Sequence, residues 1–99
     1  MNGKIAYVFS TKMWKDDAPS GWYFVSLPKI ISKEIRKNLG WQEEGWGRMK
    51  ALARIDAVQW ETAIWYDTKM GAYILPIKAE IRKKLRLAVN TEMEISIFI

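Results

Sequence analysis

The chain has 99 residues, a formal net charge of +5, and neither cysteine nor histidine. This length favours one domain over residues 1–99, and 49% hydrophobic residues are enough for a folded core. The missing residue types exclude disulfides, thiolate or imidazole metal sites, and every nucleophile or triad that needs cysteine or histidine. We therefore expect a single domain with no metal and no cofactor.

The beginning of the chain gives no sign of a leader. The segment Met1–Ile5 carries no basic stretch leading into an apolar run, and no apolar run approaches the roughly 18 residues of a membrane span. We expect a cytoplasmic protein with no membrane contact.

The first half of the chain predicts two strands, a short helix and a third strand. The first two strands span about 4–14 and 21–27, separated by a turn-forming run at 16–21. The helix spans 31–39, with Ser32 as a favourable N-cap and Gly40 as the residue that ends it. The third strand covers 48–56, where the inward side chains are Met49, Ala51, Ala53 and Ile55.

The second half predicts the same order of elements. After a tight reversal at Asp56-Ala57, strands are predicted over 58–66 and 72–75, with a turn-forming segment between them. Pro76 is suited to open a second helix, predicted over 77–85. A last strand turns Met93, Ile95, Ile97 and Ile99 inward. Six strands and two helices fit a compact barrel.

The two helical segments repeat each other. Six identities recur 46 positions apart, at Ile31, Glu34, Ile35, Arg36, Lys37 and Leu39 in the first copy, whereas the Leu-Pro pair at 27–28 recurs 48 positions later. The first copy should therefore hold two extra residues between its proline and its helix. The apolar spacing i, i+4, i+8 in both copies is typical of amphipathic helices. We expect two β-Leu-Pro-α-β halves related by an approximate twofold axis.

The positive excess of the chain lies in these two helical segments. Lysine and arginine release condensed counterions from phosphates, so the segments are a candidate polyanion surface. Its residues are Arg36, Lys37, Arg82, Lys83 and Lys84. A structural role, in which the arginines pair with a carboxylate or a carbonyl, is the interpretation that we favour, and a protein interface is a third.

The six tryptophans suggest a second kind of site, since small-molecule and base-stacking sites have aromatic walls. Tyr23 and Trp65 alternate with their neighbours as core strand residues do, so we interpret them as packing residues. Trp14, Trp41 and Trp46 lie nearer loops and are the candidate ligand-contacting aromatics.

Acidic pairs and glycine-rich runs offer little catalytic chemistry. Asp16-Asp17 and Glu43-Glu44 stand beside glycine or proline in predicted loops, which favours solvated turns over acid and base catalysis. Gly45-Trp46-Gly47 lacks the spacing and the lysine of a phosphate loop, and the sequence has no Gly-x-Ser-x-Gly elbow. We expect no catalytic residues and no enzyme.

Two longer runs carry a resemblance to a known family. The first run is Trp22-Tyr23-Phe24-Val25-Ser26-Leu27-Pro28. The second is Trp60-Glu61-Thr62-Ala63-Ile64 followed by the segment Gly71 to Lys83. Both resemble the bacterial family called domain of unknown function 1905. The resemblance covers nearly the whole chain and implies a double-split β-barrel. Each half is similar to the half-motif of AbrB and MazE type regulators and antitoxins. Ala63 stands where the family usually has serine, and Asn90-Thr91 where it usually has Gly-Asp, so any role of those family residues is in doubt here.

The sequence thus predicts a mainly β protein, a small double-split barrel, with a binding or accessory function and no catalysis. Its partner would be an unknown protein or a small ligand. The alternative is a DNA-binding regulator or antitoxin of the AbrB and MazE type, a fold-level analogy that does not itself carry function. One chain already holds both halves, so we expect a monomer or weak dimer with only weak binding of nucleic acid.

Overall fold

A computed structural model describes residues 5–19 and 21–99. Within them the strands are β1 (Ala6–Lys15), β2 (Tyr23–Ser26), β3 (Arg48–Ile55), β4 (Val58–Asp67), β5 (Ala72–Pro76) and β6 (Glu92–Phe98), and the helices are α1 (Lys29–Leu39) and α2 (Ala79–Leu85). Two short 3₁₀ turns, Gly40–Gln42 and Gly45–Gly47, join α1 to β3. Residue 4 of the predicted first strand, Ser20 of the predicted turn and the segment 1–3 lie outside the described residues.

The six strands form one closed antiparallel barrel in the order β1-β2-β5-β4-β3-β6. The barrel closes where β1 pairs with β6, from Ala6 opposite Phe98 to Lys12 opposite Glu92. Antiparallel neighbours joined by short turns account for the tight reversal at Asp56-Ala57, where Ile55 pairs with Val58. The predicted mainly β barrel with two short helices is confirmed.

The strand pairings have internal twofold symmetry. Exchanging β1 with β4, β2 with β5 and β3 with β6 reproduces every pairing of the barrel. At the axis, Leu27 N–H donates to the Tyr73 carbonyl at 2.9 Å, and Ile77 N–H donates to the Tyr23 carbonyl at 2.8 Å. Leu27 therefore corresponds to Ile77, and Tyr23 to Tyr73, at a spacing of 50 positions.

The helices begin at the same spacing of 50, at Lys29 and Ala79. Two extra residues before the first helix are therefore a wrong prediction: α1 starts directly after Pro28, while Ile77 and Lys78 separate Pro76 from α2. The sequence repeat of 46 and the structural repeat of 50 differ by about one helical turn. Arg36 and Arg82 consequently lie on corresponding faces, with Arg36 one turn further along its helix.

The predicted start of the first helix is corrected, and its predicted end is not. Ser32 is not an N-cap; it lies buried inside α1, where its Oγ accepts a hydrogen bond from the Tyr73 N–H at 3.0 Å. Pro28, with φ −55° and ψ 146°, takes the extended conformation that precedes a first helical turn. The predicted end of this helix at Gly40 is confirmed, since α1 ends at Leu39, although φ −57° and ψ −24° carry Gly40 into a 3₁₀ turn and not into a left-handed cap.

The predicted inward faces form the core. Ile35 and Ile81 are buried at the middle of their helices, and the predicted stripes of β3 and β6 are buried from Met49 to Ile55 and from Met93 to Ile99. Burial of such side chains is the main driving force for folding. Within residues 5–19 and 21–99, no helix has the length and apolar character needed to cross a membrane.

Candidate ligand-binding cleft

A cleft of about 430 Å³ opens where the start of β2, the middle of β4 and the connection from β5 to α2 meet. Small-molecule sites commonly occupy about 300–1,000 Å³ and have mainly apolar walls. The lining residues are Gly21, Trp22, Tyr23, Trp60, Glu61, Thr62, Trp65, Pro76, Ile77, Lys78, Ala79 and Arg82.

Aromatic rings form one wall of this aromatic cleft. Trp22 and Trp65 approach with ring centroids 6.1 Å apart, and Trp22 also stacks on Phe24 at 5.9 Å. Trp22 remains 48% exposed, which is unusual for so large an apolar side chain. Gly21 allows this placement, because its φ of +70° belongs to the left-handed region that side chains disfavour.

Arg82 supplies a fixed cationic group to the cleft. Its guanidinium carbon lies 3.9 Å from the centroid of the Tyr23 ring, and its Nη1 donates to the Ile77 carbonyl at 2.8 Å. Stacking and hydrogen bonding together restrict the guanidinium to one plane, so its orientation is set before a ligand arrives.

The other charged groups of the cleft are less fixed. Lys78 Nζ lies 3.9 Å from Glu80 Oε1, and both side chains are more than half exposed. Glu61 is exposed on β4. Among residues 5–19 and 21–99, neither Glu61 nor any other carboxylate lies within ion-pair distance of Arg82.

A second, corresponding cleft lies on the other half of the barrel, with a volume of about 500 Å³. Seven of its lining residues have counterparts in the aromatic cleft: five at the spacing of 50, such as Ala72 for Trp22, and two on β1 at the spacing of 51 that the strand registers give, Ser10 for Glu61 and Thr11 for Thr62. Two of its lining side chains bond within the protein: Thr11 Oγ1 donates to the Ser26 carbonyl, and Ser26 Oγ accepts from Trp14 Nε1, each at 2.9 Å. The two clefts therefore share a backbone frame and differ in side chains.

Arg36 occupies a different environment from Arg82. Its guanidinium carbon lies 3.7 Å from the Tyr66 ring centroid, and its Nε lies 3.7 Å from Glu43 Oε2. Glu43 also accepts a hydrogen bond from the hydroxyl of the buried Tyr73. This arginine is thus paired within the protein, as the structural interpretation of the basic segments expects.

The structure distributes the sequence-predicted site residues over several surfaces. Lys37, Lys83 and Lys84 are exposed on the helices, and Arg82 alone of the polyanion candidates lines the aromatic cleft. Trp14 packs against Phe24 and bonds to Ser26. Trp41 and Trp46 are 79% and 97% exposed in the segment between α1 and β3, and neither lines the aromatic cleft.

Sequence reasoning missed the aromatic wall. Tyr23 and Trp65, interpreted as packing residues, are half-buried and line the cleft, although Tyr23 also packs against the core. A signal was present in the motifs: Trp60, Thr62, Pro76, Lys78 and Arg82, which carry the family resemblance, all line the same cleft.

Barrel and cleft together define a small, internally duplicated β-barrel protein with one aromatic surface cleft on its described residues. The model of the family Domain of unknown function (DUF1905) matches residues 9–97, and the chain belongs to this family. A comparison with curated proteins gave no match.

Proposed function

We propose that this protein is a non-enzymatic binding module that holds a small aromatic molecule in the aromatic cleft. The observation that carries the proposal is the difference between the two corresponding clefts. In one, the Thr11 and Ser26 side chains bond within the protein, while the other presents exposed tryptophan and a fixed arginine. Exposed aromatic surface beside convergent polar groups is typical of ligand sites.

The charged groups of the cleft support binding over catalysis. Arg82 carries N–H donors and no acceptor, which suits it to binding an anion, and Lys78 lies beside Glu80 on the exposed surface. Glu61 is exposed to water. These groups can orient a ligand.

The contacts of the two repeated arginines also favour a small-molecule module over a DNA-binding regulator. Both guanidiniums lie against tyrosine rings, and Arg36 is neutralised by Glu43. The basic segments thereby present fewer free charges for phosphates than their sequence suggests, and affinity for duplex DNA depends mainly on such charges.

The test is a fluorescence titration with N-phenyl-1-naphthylamine, an uncharged aromatic probe that brightens in apolar sites. We expect saturable binding in the micromolar range and at least a tenfold loss of affinity in Trp22→Ala. Trp41→Ala is the matched control, because Trp41 is exposed and lies outside the cleft. Its affinity should stay within twofold of the parent protein.

A second variant fills the cleft and leaves its wall intact. Ala79 is exposed at the first turn of α2 and lines the cleft, so Ala79→Trp should block the probe while the fold is retained. Absence of saturable binding, or equal loss in Trp22→Ala and Trp41→Ala, contradicts the proposed function.

A further inference from the structure

We propose that the ligand of the aromatic cleft is an aromatic carboxylic acid, with its ring against the tryptophans and its carboxylate on Arg82. This inference rests on the proposed function and specifies the chemical class of the ligand.

Arg82 has hydrogen-bonding capacity that the protein does not use. A guanidinium carries five N–H groups, and one nitrogen of Arg82 bonds to the Ile77 carbonyl. The face of the group rests on Tyr23, so its in-plane edge is the part that can meet an anion. A carboxylate matches that edge geometrically, because its two oxygens accept parallel N–H bonds.

The repeated arginine of the first half shows what such a group binds in this fold. Arg36 also rests on a tyrosine ring, and its nitrogen Nε faces the carboxylate of Glu43. Glu43 comes from the segment that follows α1. The segment that follows α2, residues 86–91, contains no aspartate or glutamate. Arg82 therefore rests on a tyrosine ring as Arg36 does, but no carboxylate of the described residues lies within ion-pair distance of it.

The charge of the cleft suits one monovalent anion. Lys78 lies close to Glu80, and Glu61 adds a negative charge to the lining, so Arg82 is the main uncompensated cation there. A phosphate monoester carries a charge of about −1.5 to −2 at neutral pH and would require more positive charge than this. A carboxylate needs one guanidinium.

The experiment measures displacement of N-phenyl-1-naphthylamine by 2-naphthoate, 2-naphthamide and 2-naphthyl phosphate. The first two have the same ring and nearly the same shape and differ in charge. We expect 2-naphthoate to displace the probe at least tenfold more effectively than 2-naphthamide. Equal displacement overturns the inference, as does 2-naphthyl phosphate binding tenfold more tightly than 2-naphthoate.

Arg82→Met removes the charge and keeps most of the side-chain length. In this variant the preference for 2-naphthoate over 2-naphthamide should fall below twofold while the uncharged probe still binds. Arg36→Met is the matched control, since it removes the repeated arginine outside the cleft, and it should keep the preference within twofold. A preference that persists in Arg82→Met overturns the inference.

Glu61→Gln provides a readout that does not depend on the folding of the Arg82 variant. Removing the negative charge from the cleft should strengthen 2-naphthoate binding by two- to fivefold and leave 2-naphthamide unchanged. An unchanged or weaker affinity for 2-naphthoate contradicts the inference. Failure of the probe itself to bind would instead contradict the proposed function, so the two failures are distinguishable.

Discussion

The hydroxyl of Tyr73 donates a hydrogen bond to the carboxylate of Glu43, which ties β5 to the segment that follows α1. Tyr73 is fully buried, and the same carboxylate lies 3.7 Å from Nε of Arg36. Burial, and next the hydrogen bond to Glu43, raise the pKa of the Tyr73 hydroxyl above its ordinary value. One carboxylate thus contacts both β5, through Tyr73, and α1, through Arg36.

The first prediction concerns this hydrogen bond. Tyr73→Phe should lower the free energy of unfolding by about 1.5–3 kcal/mol, because the lost bond has a charged acceptor. Tyr66→Phe keeps the ring beneath Arg36 and the bond between Tyr73 and Glu43, so it should cost less than about 0.5 kcal/mol. Urea unfolding of both variants measures the difference. Equal losses would show that the bond does not stabilise the fold.

The second prediction is the pH dependence of stability. The pKa of Tyr73 is raised in the folded protein from an ordinary value of 10.0, so its contribution is complete below pH 10. Above pH 10 the unfolded chain releases this proton and the folded protein retains it. Stability should then fall by up to about 1.4 kcal/mol per pH unit for this group.

Unfolding measured from pH 9 to pH 11.5 tests the second prediction, with Tyr73→Phe as the control. The variant should show a shallower decline than the parent protein. Tyr7, whose pKa burial also raises, contributes to the decline in both proteins and therefore cancels in the comparison. Identical slopes would contradict the assigned role of Tyr73.

The third prediction concerns the helix faces. Ile35 and Ile81 are almost completely buried, so replacing either by alanine should cost about 2–5 kcal/mol through lost burial and a cavity. Ile30 is 83% exposed on α1, and Ile30→Ala should change the stability by less than about 0.5 kcal/mol. Denaturant melts of the three variants are sufficient. Losses below about 1 kcal/mol at both buried sites would contradict the packing described.

The fourth prediction concerns Trp46, which adopts a φ of +68° and is 97% exposed. A left-handed backbone is unfavourable for a side chain with Cβ, so Trp46→Gly should stabilise the protein by about 0.5–1 kcal/mol. Trp46→Ala retains Cβ and should bring little gain. A loss of stability in Trp46→Gly would mean that the indole contributes contacts that outweigh the backbone strain.

The fifth prediction separates the small-molecule module from the DNA-binding alternative. We expect duplex DNA to bind weakly and without sequence preference at low salt, and to be released by about 150 mM salt, because a net charge of +5 supplies few phosphate contacts. The variant Lys83→Ala with Lys84→Ala should weaken this binding for all sequences alike. Sequence-selective binding that survives 150 mM salt and is lost in that variant would favour the regulator.

Local patterns predicted most of the barrel because they depend on which face of an element is buried. The alternation in β3 and β6 and the stripe through Ile35 correspond directly to burial in the structure. The start of α1 differs from the prediction because two long-range hydrogen bonds set it. Leu27 N–H donates to the Tyr73 carbonyl, and Tyr73 N–H donates to Ser32 Oγ. Neither contact is visible from neighbouring residues.

The aromatic cleft escaped prediction for a different physical reason. Alternation places Tyr23 and Trp65 on one face of a strand, but it does not tell whether another element covers that face. In this fold α2 is only seven residues long, and the cleft opens beside its first turn. The prediction of Trp41 and Trp46 as ligand-contacting residues rests on their position near loops, and loop position alone does not create the concave wall of a cleft.

Closure of the barrel limits the ways in which the protein can associate with other chains. Each of the six strands has a hydrogen-bonded neighbour on both sides, with β1 joined to β6. An open sheet can recruit a partner strand or aggregate through its unpaired backbone edge. Where two strands are paired in this barrel the backbone groups between them are already bonded, so a partner that binds at those positions must recognise side chains.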